Sequence, residues 1–247
     1  MRLDQYLVQA SIARSRTLAA KMVEGGYISV NGKPTTKPAQ KLKEGDRVRV
    51  LRNDLTEYVS RAGHKLAGAL DAFPDITVAG KFCLDAGAST GGFTDVLLRR
   101  GARRVAAVDV GHDQLVDEIR HHPAVDVYEG MNVRHMSPAD IGGQVELTVS
   151  DLSFISLTKV VGPLAEATAP GGDLLLMVKP QFEVGPAKIG KGGVVTDPAA
   201  RVEAVQLVRQ TAQEAGLLVK GEQESPLPGQ DGNLEFFLWC QKPAQDA

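Results

Sequence analysis

"KFCLDAGASTGGFTDVLLRRG", residues 81–101, decides the fold. Phe82, Cys83 and Leu84 form a short apolar run that meets Asp85 and a glycine turn, and a helix opens at the Gly91-Gly92 pair. A strand, a tight turn and a helix make the first half of a strand–helix–strand unit. Outward from this stretch the alternation continues. "RRVAAVDVG" (103–111), "AVDVYEG" (124–130), "VELTVSDLS" (145–153) and "DLLLMVKP" (173–180) read as strands two to five. "LTKVVGPLAEATAPGG" (157–172) reads as a helix ended by Pro170 and the glycine pair. "DPAARVEAVQLVRQTAQEAG" (197–216) reads as a long helix with Pro198 near its start and Gly216 after its end. "LLVKGE" (217–222) and "LEFFLWCQ" (234–241) are late strands. The expectation is an α/β fold: a seven-stranded, mostly parallel sheet covered by helices on both faces.

In such a sheet, ligands bind beyond the carboxyl ends of the strands, near the switch point. The first strand leaves through "DAGASTGGF", residues 85–93. Gly87, Gly91 and Gly92 let backbone approach a ligand where a Cβ would collide. The helix starting near Gly92 points free N–H groups at the same place, which suits a carboxylate or phosphate. Asp109 closes the second strand, 22 residues after Gly87, where a carboxylate accepts both hydroxyls of a nucleoside's ribose. A G-x-G-x-x-G loop would mean NAD, but the spacing here differs, with Ser89 and Thr90 between Gly87 and the glycine pair. With Asp85 ahead of it, "LDAGAST" resembles the S-adenosylmethionine loop of class I methyltransferases.

The chain has 247 residues, 43% hydrophobic and 23% charged, an ordinary globular composition with room for one or two domains. No apolar run approaches the roughly 18 residues of a membrane span, and the start lacks a secretory segment. Cys83 and Cys240 are far apart in apolar runs and read as buried hydrophobes of a reducing compartment. His112, His121, His122 and His135 lack metal-ligand spacing, so no metal is expected. The net charge of −2 hides a division. Residues 1–65 hold 13 Lys+Arg against 6 Asp+Glu, whereas residues 66–247 hold 15 against 24. A basic module joined to an acidic one suits an enzyme brought to nucleic acid.

The basic module is patterned. Leu3, Tyr6, Leu7 and Ala10 fall at helical spacing, Ser15 stands where an N-cap would, and a second helix runs to about Val23 before Gly25-Gly26. "YISVNGKP" reads as a strand with an Asn31-Gly32 turn, and "DRVRVL" as a closing strand. R-L-D-x-x-L-V, A-R-S-R, G-x-x-x-V-N-G, K-P and G-D-x-V-x-V follow in order, and together they resemble the S4-type RNA-binding domain. The resemblance implies an α+β module with Arg2, Arg14, Arg16, Lys21, Lys33 and Lys37 as phosphate contacts. Residues 1–59 would be this domain with its short linker (53–59), and residues 60–247 the second domain.

Four charged positions stand out in the second domain: Lys65 in "SRAGHKL", Asp151 after strand four, Lys179 ending strand five, and Glu235 at the last strand. Strand ends four and five are neighbours in the expected order 3-2-1-4-5-7-6. Glu235 joins the same rim only if the last strand runs antiparallel to strand five. The order Lys, Asp, Lys, Glu resembles the FtsJ-like 2'-O-ribose RNA methyltransferases. With "DAGASTGGFTD", "DVGHDQL", "NVR", "SDLSFISL", "VKPQFE" and "KGGVV" in order, the whole chain resembles the TlyA family of haemolysin A-like rRNA methyltransferases.

That resemblance implies methyl transfer from S-adenosylmethionine to a ribose 2'-hydroxyl of ribosomal RNA, a cytidine. Lys65, Asp151, Lys179 and Glu235 would be catalytic, with Lys179 as base or as oxyanion stabiliser and the carboxylates orienting the lysines. Asp85, Gly87, Ser89, Gly91, Gly92, Phe93, Asp109 and Asp151 would hold the cofactor. Asn132 would sit at the adenine edge and pair with its amino group through the amide oxygen. "GPAKIGKGGVV" (185–195) would close over RNA. The expected partners are ribosomal RNA or ribosomal subunits and not a membrane, the expected compartment is the cytoplasm, and a monomer is favoured. The alternatives are a non-catalytic RNA-binding or ribosome-assembly protein, a haemolysin-like membrane-active protein and a nicotinamide dehydrogenase.

Overall fold

The computed structural model describes residues 1–13, 15–51 and 57–244. They form two compact units, Met1–Tyr58 and Val59–Ala247. Arg14 and positions 53–56 of the expected linker lie outside the described residues.

In the first unit, helices α1 (Leu3–Gln9) and α2 (Arg16–Glu24) accompany strands β1 (Ile28–Val30), β2 (Lys33–Thr35) and β3 (Val48–Val50). The strands form an antiparallel sheet in the order β2-β1-β3. Leu3, Leu7, Ala19, Met22, Ile28 and Val30 make one core between helices and sheet. Ser15 caps α2, its Oγ accepting from the Leu18 N–H at 3.2 Å. Asn31 and Gly32 both take positive φ, 53° and 79°, as the two-residue hairpin turn between β1 and β2 requires.

The second unit contains α3 (Ala62–Ala72), β4 (Phe82–Ala86), α4 (Gly92–Arg99), β5 (Arg104–Asp109), α5 (Asp117–Arg120), β6 (Val125–Glu129), β7 (Val145–Ser150) and α6 (Val161–Ala167). It continues with β8 (Thr168–Val178), α7 (Pro180–Glu183), α8 (Pro198–Glu214), β9 (Leu218–Glu224) and β10 (Phe236–Gln241). The seven strands are ordered β6-β5-β4-β7-β8-β10-β9, which is 3-2-1-4-5-7-6 when counted within this unit. Neighbours from β6 to β8 pair in parallel. β10 runs antiparallel to both β8 and β9, so it alone is reversed.

Apolar side chains leave the sheet on both faces. Leu84, Val108, Leu174, Leu176 and Leu238 pack with Leu164 of α6 and Val205 and Val208 of α8. Ala107 packs on the other face with Ala88, Leu115 and Ile119. Every residue of β4 is buried, as expected for a central strand covered on both sides.

One sequence expectation is corrected. α6 ends at Ala167, and "TAPGG" is not its last turn. Thr168 already pairs with Val145, and the ladder resumes at Leu147 opposite Asp173, so the intervening residues of β8 bulge out of register. The Thr168 hydroxyl stabilises this switch by donating to the Leu164 carbonyl at 2.8 Å, while Gly171 supplies a positive φ of 77°.

Candidate active site

The loop leaving β4 is shaped by its neighbours. Gly87 has φ 91°, and a Cβ there would lie 2.6 Å from the Asp151 carbonyl oxygen. A Cβ at Gly92 would lie 2.1 Å from Ser60 Oγ. The exit of β7 and the approach to α3 therefore press on a loop that only glycine fits. Gly91, at φ 97°, is the N-cap of α4 and offers no side chain to its first amides. Asp109, at the end of β5, accepts from the Ser89 N–H at 2.8 Å and the Gly111 N–H at 2.7 Å, which pins the loop to the neighbouring strand.

A cavity of about 640 Å³ opens beside this loop. Lys65, Asp151, Lys179 and Glu235, which are widely separated in sequence, all line it. Their convergence follows from the strand directions. β7 and β8 run in parallel, so Asp151 and Lys179 leave the sheet at the same edge. The reversed β10 places Phe236 opposite Val178, so Glu235 enters at that edge. Lys65 comes from the first turns of α3, buried at 8% exposure.

The four groups form two ion pairs. Lys65 Nζ donates to Glu235 Oε2. Lys179 Nζ lies 2.6 Å from Asp151 Oδ1 and donates to Ser153 Oγ at 2.9 Å. Two further buried atoms of cavity-lining residues, Ser60 Oγ and Gln181 Oε1, have no hydrogen-bond partner among the described residues. Unsatisfied polar atoms around a cavity favour a polar ligand.

Gly87, Ser89, Gly92 and Phe93 also line the cavity, whereas Asp85, Gly91, Asp109 and Asn132 do not. Asp85 is fully buried beneath α4, with Oδ2 accepting from Thr94 Oγ1 at 2.7 Å and Oδ1 without a partner among the described residues. Burial pushes its carboxyl up to about 7. Phe93 is a core residue as much as a wall, stacked on Phe237 with ring centroids 6.2 Å apart. Asn132 is exposed, and its Oδ1 accepts from the Arg134 N–H at 3.0 Å. That oxygen, expected to meet an adenine, caps the short turn Val133–His135, which uses one of its two lone pairs.

In the first unit, Arg2 and Arg16 both reach Asp4. Arg2 makes a fork of 3.0 and 2.9 Å, and Arg16 a single bond of 3.2 Å. The Arg2 fork holds the Asp4 carboxyl down at about 2. The two guanidinium groups are thereby oriented yet stay open to solvent, at 44% and 59% exposure. Lys21, Lys33 and Lys37 are exposed.

Several residues escaped the sequence reading. Phe154, inside "SDLSFISL", is 92% exposed with φ 63° and meets the Phe182 ring at 5.3 Å. Both phenylalanines line the cavity. Asn233, 2% exposed, accepts from the Val195 N–H at 2.9 Å and donates to the Gly193 carbonyl at 3.0 Å. It ties the end of the 185–195 loop to the segment that carries Glu235. Among the described residues, no group of three or more His, Cys, Asp or Glu stands ready for a metal. No described helix is long and apolar enough to cross a membrane.

The model of the FtsJ-like methyltransferases matches residues 58–242. The chain belongs to this family. The S4 domain model matches residues 1–48 ahead of the FtsJ-like part. The 16S/23S rRNA (cytidine-2'-O)-methyltransferase TlyA of Mycobacterium tuberculosis is 48% identical over 238 residues, covering 96% of this chain and 88% of the relative. Hemolysin A of Brachyspira hyodysenteriae is 37% identical over 238 residues, covering 96% and 98%. A structure described as a hemolysin from Streptococcus thermophilus superposes with TM-score 0.77 at 36% identity, over 100% of this chain and 91% of that one. The N-methyltransferase NodS of Bradyrhizobium japonicum, in complex with S-adenosyl-L-homocysteine, superposes with TM-score 0.51 at 14% identity, over 74% and 87%. That likeness is one of fold alone.

Proposed function

We propose that this FtsJ-like protein methylates the 2'-hydroxyl of a cytidine ribose in ribosomal RNA, using S-adenosylmethionine. The observation that carries this reading is the pair of lysine–carboxylate bridges lining one cavity with the glycine loop. The fit to the cofactor rests on the chain itself: a glycine loop lining the cavity, uncapped amides at the start of α4, and Asp109 pinning the loop to β5. Gly87, Ser89 and Gly92 would hold the cofactor, with Asp109 on its ribose. Bound there, it would supply an electrophilic methyl group on a sulfonium.

Transfer of that methyl group needs alignment of the ribose oxygen and a destination for its proton. In its neutral form Lys179 would take the proton, and in its charged form it would stabilise the developing oxyanion. Asp151 and Ser153 fix the direction of Lys179 Nζ, while Glu235 holds Lys65 at the same cavity. Phe154, an exposed ring at the cavity with Phe182 behind it, would stack on the base. The S4 unit would grip the RNA through Arg2, Arg16 and its exposed lysines. The partner is ribosomal RNA, free or within a subunit, and the place of work is the cytoplasm.

The test is incubation with unmethylated small and large ribosomal subunits and with naked rRNA, using isotopically labelled S-adenosylmethionine, followed by mass mapping of ribose methylation. A labelled cytidine ribose is expected. Absence of product on all three substrates by a protein that binds the cofactor would leave the non-catalytic reading in its place.

A further inference from the structure

Phe154 is held in a conformation it would not choose. A phenylalanine at φ 63° is a backbone outlier, and such strain persists only where the surroundings over-determine it. Burial does not supply the restraint, because the side chain is almost wholly exposed. The restraint comes from the residues on either side. Ser153 accepts from Lys179 Nζ at 2.9 Å. Ser156 Oγ donates to Glu183 Oε2 at 2.5 Å, and the Leu157 N–H donates to Glu183 Oε1 at 2.9 Å.

Glu183 ends α7, the short helix that begins directly after Lys179. The segments 151–157 and 179–183 are therefore joined at three levels: Lys179 to Asp151 and Ser153, Phe182 to Phe154, and Glu183 to Ser156 and Leu157. Glu183 closes the far end. Its carboxylate accepts from a hydroxyl and an amide, and no cation pairs with it among the described residues. Burial raises its carboxyl above the ordinary range, so keeping a carboxylate there is costly. A residue serving only as a helix cap could be a serine or an aspartate on the turn itself. This one reaches across from the neighbouring strand end.

We infer that Glu183 is a positioning residue: it clamps the 153–157 turn so that the strained Phe154 ring is presented rigidly, beside Lys179, to the base of the target nucleotide. The inference rests on the proposed stacking role of Phe154. A ring already ordered before binding loses less freedom when a base stacks on it, so the clamp acts on substrate affinity. It leaves the cofactor loop untouched.

The test is a double-mutant cycle on the full chain with rRNA as substrate. Glu183→Ala should raise KM for rRNA about tenfold or more and leave the dissociation constant for S-adenosylmethionine within about twofold. Glu183→Gln, which can still accept from Leu157 and bond to Ser156, should recover most of the loss. In a Phe154→Ala background, Glu183→Ala should add little, because the ring it positions is gone. Should Glu183→Ala fold poorly, Ser156→Ala opens one half of the same clamp and takes its place in the cycle. Additive losses from Glu183 and Phe154, or a Glu183→Ala enzyme with unchanged KM while Phe154→Ala is impaired, would overturn the clamp and leave the stacking role standing. An unchanged KM in Phe154→Ala itself would overturn the stacking role and the clamp with it.

Discussion

The two lysine–carboxylate pairs of the cavity differ in how they are closed. The side chains of Lys65 and Glu235 are 10% and 3% exposed, while those of Lys179 and Asp151 are 10% and 17% exposed. The lysines are equally covered, so the difference lies in the carboxylates. Glu235 is the more deeply covered of the two, just ahead of β10 and paired with Lys65 of α3. Asp151 stays partly open, and Lys179 has a second partner in Ser153. A sealed pair is suited to holding distant parts of a chain in register, and an open pair with an exchangeable hydroxyl is suited to receiving another hydroxyl. Under the proposed function, the first pair would hold the site's geometry and the second would carry its chemistry.

The strongest way to break that assignment is Lys179→Ala. Product formation should fall by about 10²- to 10⁴-fold, the usual contribution of a positioned acid or base, while calorimetry shows cofactor affinity near that of the parent. Full activity in this variant would remove Lys179 from the chemistry. The Lys65–Glu235 pair sharpens the contrast through stability. Lys65→Met alone should cost about 3–5 kcal/mol in denaturant melts, because it strands a buried carboxylate. Adding Glu235→Leu should restore most of that loss without restoring methylation. Recovery of both would make the pair a structural strut with no part in catalysis.

A pH-dependent effect is expected at Asp85, beneath α4. Its carboxyl titrates near 7 in the folded protein against an ordinary 3.8. Between those values the unfolded chain has released the proton that the folded chain keeps, so stability falls as pH rises from about 4 to about 7 and then levels off. Asp85→Asn removes the dependence. Its gain in Tm over the parent should be near zero at pH 4 and largest above pH 7, which a melting series across pH reads directly. Asp4 has the opposite sign. Its carboxyl, at about 2 against 3.8, stabilises the fold above pH 4, and that contribution is lost as pH falls toward 2.

The sheet and the charged quartet were legible in the sequence because both obey one-dimensional rules. Strands alternate with helices, and Asp151 and Lys179 sit one step past strand ends, where a side chain leaves a sheet. The condition placed on Glu235, an antiparallel last strand, is met by β10. Phe154 was not legible, because an aromatic in "SFISL" has the pattern of a core residue, and only its φ and exposure show otherwise. Glu183 was hidden for a related reason: its partners belong to another strand end, 26 and 27 positions away. The bulge in β8 was missed because Pro170 and Gly171-Gly172 normally stop a helix, and nothing local says that a strand begins at Thr168. At Asn132 a nearby backbone amide uses one lone pair of the side-chain oxygen, a local turn contact that the sequence does not show.

The place of β10 in the sheet has a consequence for biosynthesis. It follows both β8 and β9 in the chain yet is inserted between them, so it leaves the ribosome after the two strands it joins. Until it arrives, the nascent polypeptide carries two bare hydrogen-bonding edges and an apolar slot shaped for Phe237 and Leu238. A premature stop codon shortly before Phe236 would spare every other strand of the sheet. It would still leave a sheet split in two and prone to aggregate.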